Sequence, residues 1–307
     1  QQGGAEISFF VKPAYAEQAR AGFHLYPPRG GSSLLKAASV LTTSTEVAAC
    51  RWDQVWLCTA SPALHGPWLR PLLAAAPDAT IILLQPGFRD RELLLTLVPA
   101  QRLVSGHIAI MAWQAPLPGE TVASPGVKYS FPIGSPSLFS GAGAKDAVAA
   151  LRRGGCPARI VKDAVVQSAL IGALGMPIVV ALELAGWSFA TLRSGLRGRQ
   201  GAVAAREALA IAAAFHGTST FPFSIMARWP ILSLMTHFIS FLARFAPRIL
   251  PADPEVYLRY HFTKVGEQTR QAMRTWIIEG KARGLPTAAL EAQAAALETF
   301  QAHHEHR

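Results

Sequence analysis

The sequence predicts an α/β half followed by an all-α half, and three observations predict it. Up to about residue 160, short apolar runs without polar alternation are separated by helix-patterned stretches. That pattern marks a parallel sheet covered on both faces. Beyond Asp163 no clear strand pattern appears and long helical patterns take over. The 307 residues are 50% hydrophobic and only 16% charged, which suits buried cores and not disorder.

Taken in order, Ile7 to Val11 (ISFFV) reads as a buried strand, and Tyr15 to Gly22 as a helix that stops at glycine. Val55 to Thr59 (VWLCT) is a second strand, followed by a helix over Leu64 to Ala76. Thr80 to Gln85 (TIILLQ) is a third, ending at Pro86-Gly87, and Arg89 to Leu97 is helical. Leu103 to Trp113 reads as one longer strand and Lys128 to Ile133 as another. The stretch from Pro132 to Gly143 is rich in Gly, Pro and Ser and reads as loop. Lys145 to Arg153 is a helix closed by Gly154-Gly155. Further helices are expected at 163–192, 200–215, 229–245, 254–283 and 287–302. This gives two domains, 1–160 and 161–307, with no internal repeat.

The stretch 164–182 carries no charge, close to the length of a membrane span. It also holds Gln167, Ser168 and Pro177, and Glu183 follows at once. A helix apolar all round suits the core of an α-helical domain, so no membrane span is expected.

The formal net charge is +10, divided evenly between the halves. Such a balance attracts anions, including phosphorylated cofactors and carboxylates. No finger spacing, basic-aromatic run or basic heptad array points to nucleic acid. The three cysteines, Cys50, Cys58 and Cys156, are irregularly spaced and odd in number, so reduced thiols in the cytoplasm are expected. Gln1 to Gly4 lead directly into an apolar strand, without the pattern of a signal peptide. An opening Gln in place of Met suggests further residues upstream. The His303, His304 and His306 tract reads as a solvated terminus. No zinc-ligand spacing is found, and no metal is expected.

An ordered set of segments carries a family resemblance. It comprises AEISFFVKP (5–13), DQVWLCTASPALHGPWLRPL (53–72), TIILLQPGFRDRELL (80–94), RLVSGHIAIMAWQAPLPGE (102–120) and GLPTAALEAQAAAL (284–297). Together they resemble the ketopantoate reductase (2-dehydropantoate 2-reductase) family. The resemblance implies a Rossmann-like dinucleotide-binding domain followed by a helical domain for substrate and dimer contacts. It implies NADPH-dependent reduction of a small 2-oxo acid. The family opens with a strand, G-x-G-x-x-G and a helix, whereas Gln1 falls about where that helix ends. The Rossmann-like sheet is therefore expected to be incomplete. Gly141-Ala142-Gly143 precedes a helix, but Asp146 stands where a third glycine belongs, and it reads as a loop.

Against that pattern, Lys12 ends the second Rossmann strand, where a basic residue accommodates the 2′-phosphate of NADP(H). Thr59, Gln85 and Gly87 lie at or just beyond strand ends, the side on which open parallel sheets bind ligands. The family carries a lysine near Thr59 and an asparagine where Pro86 stands. On the first helix of the second domain, Ser168, Gly172 and Met176 occupy the places of its lysine and two asparagines. Ser168 is thus the remaining candidate there, to relay a proton or bond a carbonyl. Glu267, beside Gln268, falls near the family's substrate-binding acid. His261, Lys264, Glu267 and Gln268 share one side of a single expected helix, so Lys264 or His261 could replace the missing acid. The substitutions equally suit a non-catalytic relative acting as a binding or scaffold protein.

Overall fold

The apolar run from Ile7 carries β1 (Ser8–Phe10), and α1 (Ala16–Ala21) follows and stops at Gly22. Gly22 has φ +88°, and a Cβ there would stand 2.6 Å from the Leu35 carbonyl. Only glycine fits that stop. The computed structural model describes residues 4–28, 30–85, 87–132, 134–245 and 252–305, with side chains up to residue 300. The chain divides into two compact units, Gln1–Val165 and Val166–Arg307.

Three short strands come next, β2 (Phe23–Tyr26), β3 (Ser33–Leu35) and β4 (Ser39–Leu41). None was expected from sequence, because three or four half-exposed residues give no usable period. A capping box of Thr43 and Glu46 then starts α2 (Ser44–Ala48). Alternation follows with β5 (Gln54–Leu57), α3 (Leu69–Ala75), β6 (Thr80–Leu83), α4 (Asp90–Leu95) and β7 (Leu103–His107). The unit is completed by β8 (Met111–Ala115), β9 (Gly126–Ser130), β10 (Ser137–Ser140), α5 (Ala144–Arg153) and β11 (Ala158–Ile160).

The main sheet has the order β11-β10-β7-β6-β5. Its β5, β6 and β7 are parallel, with Val55 opposite Ile81 and Ile82 opposite Val104. Their apolar sequences fit a sheet covered on both faces: Ile81, Ile82, Val104 and Phe139 are all fully buried. The sheet is nevertheless mixed, since β10 runs antiparallel to β7. That strand lies inside the stretch read as loop. Its SLFS sequence is wholly buried, and the surrounding Gly and Pro hid it. The apolar segment from Leu103 to Trp113 is likewise two strands. β7 belongs to the main sheet, whereas β8 joins a four-stranded sheet of order β3-β2-β9-β8.

β1 and β4 form a separate parallel pair, Phe9 opposite Val40. Phe10 and Leu41 pack on the same core as Leu57, Ile81 and Leu83. Among the described residues, β1 pairs with β4 alone and β5 with β6 alone.

Ala164–Leu184 is one helix, α6, and the second unit continues with α7 (Phe189–Ser194), α8 (Leu196–His216), α9 (Phe223–Met226), α10 (Trp229–Phe245), α11 (Pro254–Lys264), α12 (Gly266–Ala282) and α13 (Ala288–Glu305). The helix expected over 163–192 is interrupted. Gly186 and Trp187 take φ +70° and +62°, and the Trp187 N–H returns to the Leu182 carbonyl at 2.8 Å. That is a left-handed helix stop. The helix expected over 254–283 is also two, turned at Val265 (φ −105°, ψ 20°) before Gly266.

By length and composition α6 could cross a membrane, with a mean hydropathy of 2.1 in its most apolar window. It is also a packing element: Ala181 and Leu182 lie in a buried cluster with Phe189 and Leu192. A Cβ on Gly201 of α8 would stand 2.7 Å from the Ala181 Cβ, so the two helices approach closely there. Gln293 of α13 donates to the Pro177 carbonyl at 2.9 Å.

Candidate active site

In the first unit, the carboxyl ends of β5 and β6 lie side by side, because the two strands are parallel neighbours in register. Such a rim is where open α/β sheets hold their ligands. Gln85, two residues past β6, is buried. Its Nε2 donates to the Leu57 carbonyl at 2.7 Å and the Thr59 carbonyl at 2.7 Å. Its Oε1 accepts the Leu84 N–H at 3.2 Å. Both amide hydrogens are therefore engaged within the protein. Gln85 fixes the course of the chain leaving β5, and Thr59 stands exposed on that segment.

Gly87 is held in turn by Asp90, whose Oδ2 accepts the Gly87 N–H at 2.9 Å. A Cβ on Gly87 would collide with the Asp90 carboxyl group, so glycine is required for this approach. Asp90 is buried in the first turn of α4. Burial pushes its carboxyl up, against the opposite pull of the Ser61 hydroxyl, the Gly87 N–H and the nearby His65. Ser61, His65 and Asp90 thus gather behind the rim. The sequence reading missed all three. Asp90, three residues after Gly87 at a helix start, was the available signal. Pro86, read as replacing an asparagine, lies outside the described residues.

The remaining cofactor-side residue, Lys12, follows β1 and is exposed; its carbonyl accepts the Tyr15 N–H at 2.9 Å. Thr59, Gln85 and Gly87 are thus gathered around β5 and β6, while Lys12 ends the separate β1–β4 ladder. The Gly141-Ala142-Gly143 loop is placed elsewhere. Gly141 abuts the Leu103 carbonyl and Gly143 abuts Thr80, the first residues of β7 and β6. The loop therefore lies at the amino edge of the sheet. Its glycines serve close packing there.

In the second unit, the three candidates lie on three helices. Ser168 is buried on α6, Lys264 is exposed at the end of α11, and Glu267 is in the first turn of α12. The break at Val265 corrects the single-helix face inferred for His261, Lys264, Glu267 and Gln268. Glu267 bonds Arg270 at 3.0 Å and meets Arg274 at 3.8 Å on an exposed surface. His261 stacks on Tyr257 with ring centroids 5.7 Å apart. Burial, and then the Lys264 charge, lower its pKa. Among the described residues no group of three or more His, Cys, Asp or Glu could hold a metal ion.

The whole chain superposes on solved two-domain reductases. A PanE/ApbA family ketopantoate reductase from Ralstonia eutropha JMP134 matches with a TM-score of 0.69 and 14% identity, over 99% of this chain and 93% of that one. The chain has the ketopantoate reductase fold. A 2-dehydropantoate 2-reductase from Geobacter metallireducens GS-15 gives a TM-score of 0.66 and 18% identity, over 98% of this chain and 93% of that one. A D-mandelate dehydrogenase solved with NADH and anilino(oxo)acetate gives 0.68 and 13%, over 97% and 91%. No sequence-family profile and no curated protein matches the sequence. The α/β half followed by an all-α half is as the sequence predicts.

Proposed function

We propose that the chain is a ketopantoate reductase-like oxidoreductase that reduces a small 2-oxo acid with NADPH, 2-dehydropantoate being the substrate that the resemblance implies. The carrying observation is the β5–β6 rim, where Gln85 locks the Thr59 segment in place. The fold supports the reading, since a neighbouring structure is a dehydrogenase solved with NADH and an oxo acid. In it, residues 1–160 are the dinucleotide-binding domain and 161–307 the substrate and dimerisation domain. The protein works as a cytoplasmic homodimer, and its three free cysteines suit that compartment.

The residues present fit the cofactor in part. Lys12 is exposed and would face the 2′-phosphate, and Thr59 offers a hydroxyl on the rim. Gln85 and Gly87 have their donors committed to Leu57, Thr59 and Asp90, so they shape the rim and do not bind. The cofactor, when bound, supplies the hydride. Lys264, exposed at the end of α11, would supply the proton that the developing alkoxide needs. Ser168 can hydrogen-bond a carbonyl, and Glu267 a substrate hydroxyl once it leaves Arg270.

A second reading, a non-catalytic binding or scaffold relative, is favoured by the same committed donors. The test is loss of the reduced-nicotinamide absorbance with NADPH and a panel of small 2-oxo acids. Turnover that falls at least tenfold in Lys264→Met supports the reductase. A chain that binds NADPH but turns over none of the panel supports the second reading.

A further inference from the structure

Helix α10 presents an exposed apolar face in the second unit. Leu234 is 70% exposed, Phe238 59%, Phe241 56% and Phe245 66%. These side chains recur at spacings of four, three and four, the repeat of a two-helix seam. Surface helices ordinarily keep such residues on the core side. Here the core side is taken by Leu232 and Thr236, and Arg193 of α7 ties that side down through the Thr236 carbonyl at 3.0 Å. The outward stripe is therefore additional to what the unit's own core uses.

We propose that this face of α10 is the contact between two copies of the chain. The inference deepens the homodimer of the preceding reading by assigning its surface. A patch meeting its own copy about a twofold axis must be self-complementary, and a stripe whose sequence carries no Lys, Arg, Asp or Glu from Trp229 to Ala243, with Arg244 entering only at its Phe245 end, meets that requirement. An antiparallel pairing sets Phe238 of one copy against Phe241 of the other, and Leu234 against Phe245. With Met235, 39% exposed, five large side chains would each bury on the order of 100 Å². Two copies then reach about 1,000 Å², the threshold of a specific interface. A lipid surface is the weaker occupant. Arg228 precedes the stripe, Arg244 lies within it, 5.7 Å from the Phe245 ring centroid, and Arg248 follows in the sequence; this is fewer than the roughly four to eight basic residues of a polybasic lipid-binding cluster.

The test is sedimentation velocity of the full chain across a concentration series from about 1 to 100 μM. The expected result is a reversible transition from 32.9 kDa to twice that mass. Phe238→Glu with Phe241→Glu should leave a monomer at every concentration, with an unchanged helical spectrum. Ile278→Glu, an exposed apolar position on α12, should leave the dimer intact. A wild-type monomer at 100 μM would overturn the proposal, whether or not it floats with phosphatidylserine vesicles. A dimer that survives the double substitution would also overturn it. If the double variant misfolds, Phe238→Ser alone should raise the dissociation constant at least tenfold, and an unchanged constant counts against the surface. Cofactor binding is measured separately, so loss of the dimer and failure of the reductase reading are distinguishable.

Discussion

Gln85 spans from the end of one strand to the exit of its neighbour, its Nε2 lying 2.7 Å from the Thr59 carbonyl. The second hydrogen goes to the Leu57 carbonyl at the same distance, so a single buried amide closes the rim between β5 and β6.

Replacing Gln85 with Ala removes both donors and leaves two carbonyls and a cavity at a buried position. Each unsatisfied buried group costs about 1–3 kcal/mol. Urea denaturation should show Gln85→Ala destabilised by about 2–4 kcal/mol. Gln85→Glu also loses the two bonds, and it should be no more stable than the Ala variant at pH 7. An effect below about 0.5 kcal/mol would mean that the amide does not hold the rim.

Asp90 gives a pH signature. Burial raises its folded-state pKa above the unfolded value. Between the two pKa values the folded state holds a proton that the unfolded state has released. Stability from this group therefore falls as pH rises through that window. Asp90→Asn removes the titration and keeps an acceptor for the Gly87 N–H. Its stability relative to wild type should be more favourable at pH 7 than at pH 4, as read by paired denaturation curves. A difference independent of pH would contradict the assignment.

Gly201 opposes two general effects. Gly→Ala within a helix ordinarily stabilises by about 1 kcal/mol. Here the new Cβ would stand 2.7 Å from that of Ala181 and 3.3 Å from the Pro177 carbonyl. Overpacking of this kind costs about 1–3 kcal/mol. Gly201→Ala should accordingly lower the melting temperature, and a rise would show that α8 can shift off α6.

The sequence made legible the elements with length or unbroken apolar character. β5, β6, α8 and α10 could be read because each repeats one pattern for at least a turn or a full strand. β2, β3 and β4 could not, being three or four residues long and half exposed. β10 hid among Gly and Pro because tertiary burial of Leu138 and Phe139, not local propensity, makes it a strand. Two helix breaks went unseen for related reasons. A glycine stands at each, Gly186 beside Trp187 and Gly266 after Val265, but a lone glycine within a long helical pattern is also tolerated inside helices. At the site, strand-end logic located Thr59, Gln85 and Gly87. It could not show that the donors of Gln85 and Gly87 are spent internally, because that depends on Leu57 and Asp90 being brought to them by the fold.

NADPH binding to the full chain, followed by nicotinamide fluorescence, tests the central claim most directly. A saturable signal is predicted, weakened about three- to tenfold in Lys12→Glu, the loss expected for one partly solvated charge contact of roughly 1 kcal/mol. The absence of any saturable signal at millimolar NADPH would contradict the claim that this rim serves a nicotinamide dinucleotide.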